Sequence, residues 1–218
     1  MESLRNNPYF YRLFLVAGII LQIYTFIYDH TSVISFISGC LGVIAVVLCS
    51  CKKYYQFIYA IPQLITYMYI SFSEKLWGEV TINIFYFIMM VIALFTWRKG
   101  NYNTDTNEVE PKTLNIKQHI YAIIGTLLFT VTLYTILKAT NDSQPFMDSI
   151  TTGPAITAQI LMTFRYKEQW LYWLIIDIAS IIMWHNADDA CMTMQYIFWT
   201  INCFYGYYMW NQKKINHV

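Results

Sequence analysis

Charged side chains are scarce in this sequence, and no stretch of it is long and polar enough to form a soluble domain. Only 12% of the 218 residues are Asp, Glu, Lys or Arg, against about 25% in a typical soluble domain. Hydrophobic residues make up 57% of the chain and aromatic residues 18%. This composition predicts an integral membrane protein. The formal net charge of +1 offers no basic surface for nucleic acid, which we exclude as a partner.

Catalytic and metal-binding motifs are also missing. The sequence has no H-E-x-x-H or G-x-S-x-G motif and no paired carboxylates within its apolar runs. The five cysteines show neither a disulfide framework nor metal-ligand spacing, and we interpret them as small buried hydrophobic residues. We therefore predict no enzymatic activity, no cofactor and no metal site. An intramembrane enzyme is kept as the alternative from a different functional class.

What the chain does contain is a series of apolar segments. Eight can be marked, at about residues 13–28, 32–50, 54–72, 76–97, 119–137, 150–164, 169–184 and 190–210. We interpret each segment as a transmembrane helix, which predicts an all-α, polytopic membrane protein with eight transmembrane helices in the lipid bilayer. An even number of spans places both termini on the same side of the membrane.

The positions of the basic residues support this count. With eight spans, twelve Lys and Arg residues lie on the side of the two termini, and only Lys75 and Lys138 lie on the other. Cytoplasmic loops are enriched in Lys and Arg, so we predict that both termini are cytoplasmic. The twelve residues are Arg5, Arg12, Lys52, Lys53, Arg98, Lys99, Lys112, Lys117, Arg165, Lys167, Lys213 and Lys214.

Two blocks of the sequence resemble each other at a constant offset of 113 residues. K-K-Y-Y-Q-F-I-Y at 52–59 corresponds to R-Y-K-E-Q-W-L-Y at 165–172, and Trp97 corresponds to Trp210. We interpret the blocks as parallel three-helix repeats joined by a linker helix, a 3+1+3 arrangement behind an extra amino-terminal helix. Transporters built from parallel repeats bind substrate near the membrane midplane, between the repeats.

This interpretation divides the chain into five parts. They are an extra amino-terminal helix (1–30), the first repeat (31–97), a cytoplasmic loop with the linker helix (98–138), the second repeat (139–210) and a cytoplasmic tail (211–218).

The seventh segment carries an acid in the middle of an apolar run. On a helix, Trp170, Trp173, Asp177, Ser180 and Trp184 fall on a single stripe. A carboxylate at the bilayer centre costs about 2.5–3.5 kcal/mol on insertion scales, so it normally faces a cavity or a partner. An acid flanked by aromatic faces suits a flat cationic ligand. The alternative is an Asp that only packs between helices, beside tryptophans that anchor the helix at the membrane interface.

The same residues carry a resemblance to a known family. Residues 161–180 read L-M-T-F-R-Y-K-E-Q-W-L-Y-W-L-I-I-D-I-A-S, and the pattern W-x-x-W-x-x-x-N/D within them is the most specific part. Together with Y-M-W-N at 208–211, this sequence resembles the PnuC-type nicotinamide riboside transporters of bacterial inner membranes. The resemblance covers roughly residues 31–211. Asp177 and Gln63 stand where the family leads us to expect asparagine.

This resemblance implies a fold, a substrate and partners. It implies the architecture of the SWEET sugar carriers in a full-length form, assembled as a homotrimer. It also implies facilitated diffusion of nicotinamide riboside into the cell, followed by phosphorylation by a cytoplasmic riboside kinase. Two alternatives stay open at this point: a related vitamin such as thiamine or riboflavin, and a proton-coupled carrier that uses Asp177.

The implied ligand, which has a pyridinium ring, a carboxamide and a ribose, selects the candidate site residues. Aromatic faces suit the ring and amides suit the hydroxyls and carboxamide. For each amide the alternative is a hydrogen bond between helices. The aromatic candidates are Trp173, Trp184, Trp199 and Trp170, the last as either an interface anchor or a gate. The polar candidates are Asp177, Gln63, Asn83 and Asn202, followed by Gln195 and Tyr59.

Overall fold

The computed structural model describes residues 8–73, 77–100, 103–104, 106–140 and 144–212, and within them it contains eight α-helices and no β-strand. Each predicted apolar segment corresponds to one helix, so the all-α class and the number of helices are confirmed. The helices are α1 Pro8–Tyr28, α2 Val33–Ser50, α3 Phe57–Ser73, α4 Trp77–Lys99, α5 Ile116–Ala139, α6 Pro145–Thr163, α7 Gln169–Asn186 and α8 Ala190–Asn211. Arg5, Lys75, Lys213 and Lys214, which were used to count the spans, lie outside the described residues.

Local capping chemistry sets the helix starts that the apolar pattern misplaced. Helix α6 begins at Pro145, five residues before the predicted start, because a proline fits the first turn of a helix. Helix α5 begins at Ile116 because Asn115 and Gln118 form a capping box, with two hydrogen bonds of 2.9 Å between them. The predicted third segment includes Tyr54–Gln56, which forms a 3-10 turn before α3.

The described contacts divide the chain into two compact units. One unit comprises Met1–Glu110 and Tyr208–Val218, and the other comprises Pro111–Tyr207. In the first unit, α2 packs against α1 and α3, and α3 packs against α4. In the second, α6 packs against α5 and α7.

Among the described residues, four helices are long and apolar enough to cross a membrane by length and composition alone. The stretches concerned are Tyr11–Tyr28, Val33–Ser50, Val80–Lys99 and Ile116–Ala139. The other helices are shorter or more polar, and all but one of the polar candidate residues lie in them; Asn83, in α4, is the exception. Along α7, Leu171, Ile175, Ile178 and Ile182 form an exposed aliphatic stripe, which suits contact with lipid.

The turns after α2 and after α6 have the same backbone geometry. Lys52 and Arg165 adopt left-handed conformations, with φ of 62° and 65°. The amide of Lys52 donates to Cys49 O at 2.8 Å, and the amide of Arg165 donates to Met162 O at 3.0 Å. The amides of the following residues, Lys53 and Tyr166, donate to Leu48 O at 2.9 Å and to Leu161 O at 2.8 Å. This is the Schellman pattern of helix termination, and it occurs twice at the offset found in the sequence.

The loop before α5 makes backbone hydrogen bonds to both turns. Its part in the first unit bonds to the turn after α2, and its part in the second unit bonds to the turn after α6. Val109 is buried, and its amide donates to Lys52 O at 3.0 Å. Further along, Lys112 exchanges backbone hydrogen bonds with the second turn, donating to Arg165 O at 2.7 Å. The polar composition of this loop predicted only a linker, since a single buried valine gives no periodic signal.

A third Schellman turn, after α7, supports a stability prediction. Asp188 is exposed and has φ of 56°, with its amide donating to His185 O at 3.1 Å. A left-handed residue with a Cβ costs about 1 kcal/mol that glycine avoids. We therefore expect Asp188→Gly to raise the melting temperature by about 2–4 °C in a chain of this length. Thermal unfolding followed by tryptophan fluorescence measures it. Asp188→Ala is the control, and an equal rise in both variants would attribute the effect to the lost carboxylate.

Candidate functional site

The predicted stripe on α7 is the buried face of that helix. Trp170, Asp177 and Ser180 are buried, and Trp173 and Trp184 are half-buried. The exposed aliphatic stripe of α7 lies on the opposite side of the helix, so α7 has one polar and aromatic face and one apolar face. The sequence periodicity had predicted the shared stripe, but not the exposed aliphatic face opposite to it.

Asp177 is held in place by the neighbouring helix. Asp177 is only 5% exposed, and the Cys203 thiol of α8 donates a hydrogen bond to its Oδ2 at 3.2 Å. A thiol is a weak donor, whereas an ionised carboxylate has room for about four hydrogen bonds. The carboxylate is therefore positioned by Cys203 and keeps most of its capacity to bind a cationic or hydrogen-bonding ligand.

Asn202 directly precedes Cys203 and is fully buried, at 0% exposure. Neither its Oδ1 nor its Nδ2 has a hydrogen-bond partner among the described residues. A buried polar group left without a partner costs about 1–3 kcal/mol, so a stable protein rarely retains two on one side chain. A ligand with both a donor and an acceptor would satisfy this amide.

Close packing joins α8 to α7 one turn further along. A Cβ on Gly206 would lie 2.5 Å from Cε2 of Trp170, so the indole ring packs directly against the α8 backbone. Trp170 is therefore a buried part of the α7–α8 contact, and its role as an interface anchor or a gate stays a prediction. The structure thus places Asp177 and Trp170 against α8, at Cys203 and Gly206, and Asn202 is the buried residue before Cys203 in that helix.

The other predicted residues have separate surroundings. In α7 and α8, Trp184 has a buried indole Nε1 without a described partner, Gln195 is half-buried, and Trp199 packs edge-on against Phe198 with centroids 5.1 Å apart. In the first unit, Asn83 is buried and Tyr59 and Gln63 are half-buried. The Gln63 side chain lies against Gly42, at 3.5 Å from the position of an added Cβ.

Three buried amide or carboxylate side chains in the described part of the second unit were not among the predicted site residues: Gln159, Glu168 and Gln169. An amide inside an apolar run was the signal that selected Asn83 and Asn202, and Gln159 gives the same signal in the α6 sequence. In the sequence, Gln169 stands out only through the repeat, in which it corresponds to Gln56. Its side chain is fully buried.

Metal ligands are not grouped in the described part of the chain. It contains no set of three or more His, Cys, Asp or Glu side chains that could hold an ion. His185 and Asp188 are exposed, while Cys191 nearby is buried, so these neighbours in sequence do not share one environment.

A family model for the nicotinamide mononucleotide transporters matches residues 32–212. The chain belongs to that family. The matched range agrees closely with the resemblance noted over residues 31–211, and the prediction of a PnuC-type transporter is confirmed.

Two relatives and one solved structure define the PnuC similarity further. The nicotinamide riboside transporter PnuC of Haemophilus influenzae is 32% identical over 208 residues, covering 94% of this chain and 91% of the relative. The PnuC of Neisseria mucosa is 24% identical, covering 96% of this chain and 83% of the relative. A crystal structure of the vitamin B3 transporter PnuC matches with a TM-score of 0.78 and 24% identity, over 94% of this chain and 92% of that one. The chain is therefore a multi-pass membrane protein with the PnuC fold.

Proposed function

We propose that this protein imports nicotinamide riboside by facilitated diffusion across a bacterial inner membrane. The proposal is carried by the buried carboxylate of Asp177, which contacts α8 through Cys203, and by the unsatisfied buried amide of Asn202, the residue before Cys203. A pyridinium cation bearing a carboxamide matches both groups. Two PnuC relatives are named as transporters of this riboside.

The charge of Asp177 favours binding of the riboside over the mononucleotide that the family description names. The mononucleotide carries a phosphate, with about −1.5 to −2 charges near neutral pH. Next to a buried carboxylate, such a phosphate would meet strong repulsion in a medium that screens charge poorly. The riboside has the positive ring without the phosphate, so it is the better match.

The proposal includes a membrane topology. All eight helices cross the membrane and both termini are cytoplasmic, in keeping with the twelve-to-two distribution of basic residues. The matched turns at Lys52 and Arg165 support two parallel three-helix repeats in a 3+1+3, SWEET-like arrangement, because the same helix termination recurs at the same offset. A homotrimeric assembly and trapping of the substrate by a cytoplasmic kinase complete the proposal.

Calorimetric binding to the purified, detergent-solubilised protein tests the substrate. We expect nicotinamide riboside to bind, and nicotinamide, nicotinic acid riboside and thiamine to bind much more weakly. Asp177→Asn is expected to weaken riboside binding at least tenfold, because a buried charge attraction of a few kcal/mol is lost. Asp188→Asn makes the same chemical change at an exposed position and is expected to leave binding unchanged.

Three results would each contradict a different part of the proposed function. If the folded protein binds none of the four compounds, the substrate assignment is wrong. If Asp177→Asn binds the riboside as well as the natural protein does, the function stands and Asp177 serves only in packing. Tight thiamine binding would replace the riboside with another cationic vitamin.

A further inference from the structure

A second buried acid and amide lie at the start of α7, eight to nine residues before Asp177. Gln169 is 0% exposed, and neither its Oε1 nor its Nε2 has a partner among the described residues. Glu168, immediately before it, is 3% exposed, and its Oε2 also has no described partner. Both residues belong to the second unit and follow the turn that joins α6 to α7, which we call the inner end of that unit.

Helix capping does not explain these side chains. Glu168 occupies the N-cap position of α7, yet its side chain makes no capping hydrogen bond. Its Oε1 instead lies 3.8 Å from Nε2 of His119, and that imidazole is a charged partner only when protonated. A side chain that caps a helix start accepts backbone N–H bonds and stabilises the helix by about 1 kcal/mol. The Glu168 side chain does not contribute this stabilisation.

The chemistry of this pair repeats that of the deeper site. Asp177 with Asn202, the central station, combines a buried carboxylate with a buried unsatisfied primary amide, and Glu168 with Gln169, the inner station, combines the same two groups. Gln169 and Asp177 are eight residues apart on α7, which is about 12 Å along a helix. Trp173 lies midway, four residues from each, so an aromatic face separates the two stations.

We propose that Glu168 and Gln169 form a second binding station for the transported cationic amide, between the central station and the inner end of the path. This inference rests on the proposed function, since it takes the same ligand. It adds a site that neither the family match nor the resemblance assigns.

A primary amide at Gln169 is suited to recognise a carboxamide. Two amides can pair through two hydrogen bonds, with each group donating one N–H and accepting one at its oxygen. Nicotinic acid riboside offers a carboxylate in place of the carboxamide, which cannot donate and would be repelled by Glu168. The inner station therefore accepts the amide and rejects the acid.

Two moderate stations serve transport better than a single deep one. A solute that binds tightly at one point leaves slowly, whereas neighbouring sites of moderate affinity allow it to move on. The inner station stabilises the riboside after it leaves Asp177 and before it reaches water. Removing the inner station is expected to slow translocation more than it weakens binding.

The experiment separates binding from movement. The full chain is reconstituted in phosphatidylcholine–phosphatidylglycerol vesicles, the initial rate of labelled nicotinamide riboside uptake is measured at saturating concentration, and affinity is measured by calorimetry. For Gln169→Leu we expect the rate to fall about tenfold, the effect of losing roughly 1.4 kcal/mol of hydrogen bonding, and the affinity to change less than about threefold. Gln169→Asn, which keeps the amide, is expected to recover part of the rate.

Gln144→Leu is the matched control, because it makes the same substitution at an exposed glutamine before α6. If Gln169→Leu does not fold, Glu168→Gln preserves the side-chain shape and is expected to give the same split between rate and affinity. An unchanged uptake rate in these variants would overturn the inner station. A parallel fall in rate and affinity would also overturn it, because that result places Gln169 in a single site. If the natural protein itself neither binds nor imports the riboside, the proposed function fails, and the ligand of this station fails with it.

Discussion

Asn202→Leu is expected to weaken nicotinamide riboside binding by about a hundredfold without weakening the fold. The asparagine is fully buried in α8, and both of its side-chain polar atoms lack a partner among the described residues. A ligand that satisfies both atoms gains two hydrogen bonds, worth roughly 3 kcal/mol together and thus about two decades in affinity. Leucine has a similar size and can make neither bond.

The same substitution is expected to maintain or raise thermal stability. In the unliganded protein the amide gains nothing from its burial, while its desolvation costs about 1–3 kcal/mol. Leucine removes that cost and fills nearly the same space, so we expect a melting temperature that is unchanged or a few degrees higher. A residue that lowers stability and is retained for ligand binding is common at functional sites.

Calorimetry and thermal unfolding of the purified variant measure the two effects together. Asn186→Leu, at an exposed position at the end of α7, is the control and is expected to affect neither quantity. Loss of binding with a melting temperature several degrees lower would instead give Asn202 a structural role. Retained binding would remove it from the site.

The sequence predicted the number and order of helices because polar stretches interrupt the apolar segments at regular intervals. It predicted helix ends less well, since those depend on single capping residues. Pro145 begins α6 in a stretch whose polarity suggested a loop, and Asn115 with Gln118 begins α5 three residues early. Both signals are legible in the sequence, but they are local and the hydropathy pattern does not contain them.

The polar face of α7 was predictable because it belongs to one helix. Periodicity along a single chain segment fixes which residues share a face, and that sufficed for Trp170, Trp173 and Asp177. It does not fix how wide the buried face is. Gln169 lies next to Trp170, about 100° around the helix, and both residues are buried.

The spacing of residues along one helix could not predict the contacts between helices. Cys203 was interpreted as a small buried hydrophobic residue, and its burial is confirmed. Its thiol, however, donates to Asp177 across the α7–α8 contact. The register of α8 against α7 decides that bond, and the close approach of Gly206 to Trp170 occurs in the same register. The sequence pattern of either helix alone does not encode this register.

Gly206→Ala is the second substitution for which we expect a large effect, and its expected direction is opposite to that of ordinary helix propensity. Glycine to alanine inside a helix usually stabilises by about 1 kcal/mol. At this position the added Cβ would lie 2.5 Å from Cε2 and 2.6 Å from Cζ2 of Trp170, whose ring is buried and lacks room to retreat. We expect a loss of about 1–3 kcal/mol, as in other overpacked cores, and a melting temperature lower by several degrees.

Gly125→Ala supplies the matched comparison, because Gly125 lies inside α5 with nothing within 4 Å of an added Cβ. In thermal unfolding we expect Gly125→Ala to melt at or above the temperature of the natural protein and Gly206→Ala to melt below it. The two shifts in melting temperature would then differ in sign. Separating α8 from Trp170 also moves Cys203 away from Asp177, so riboside affinity is expected to fall in Gly206→Ala alone. If both variants melt at the same temperature, the α7–α8 contact is loose enough to absorb a methyl group. In that case the positioning of Asp177 by α8 would not depend on the fit of Gly206 to Trp170.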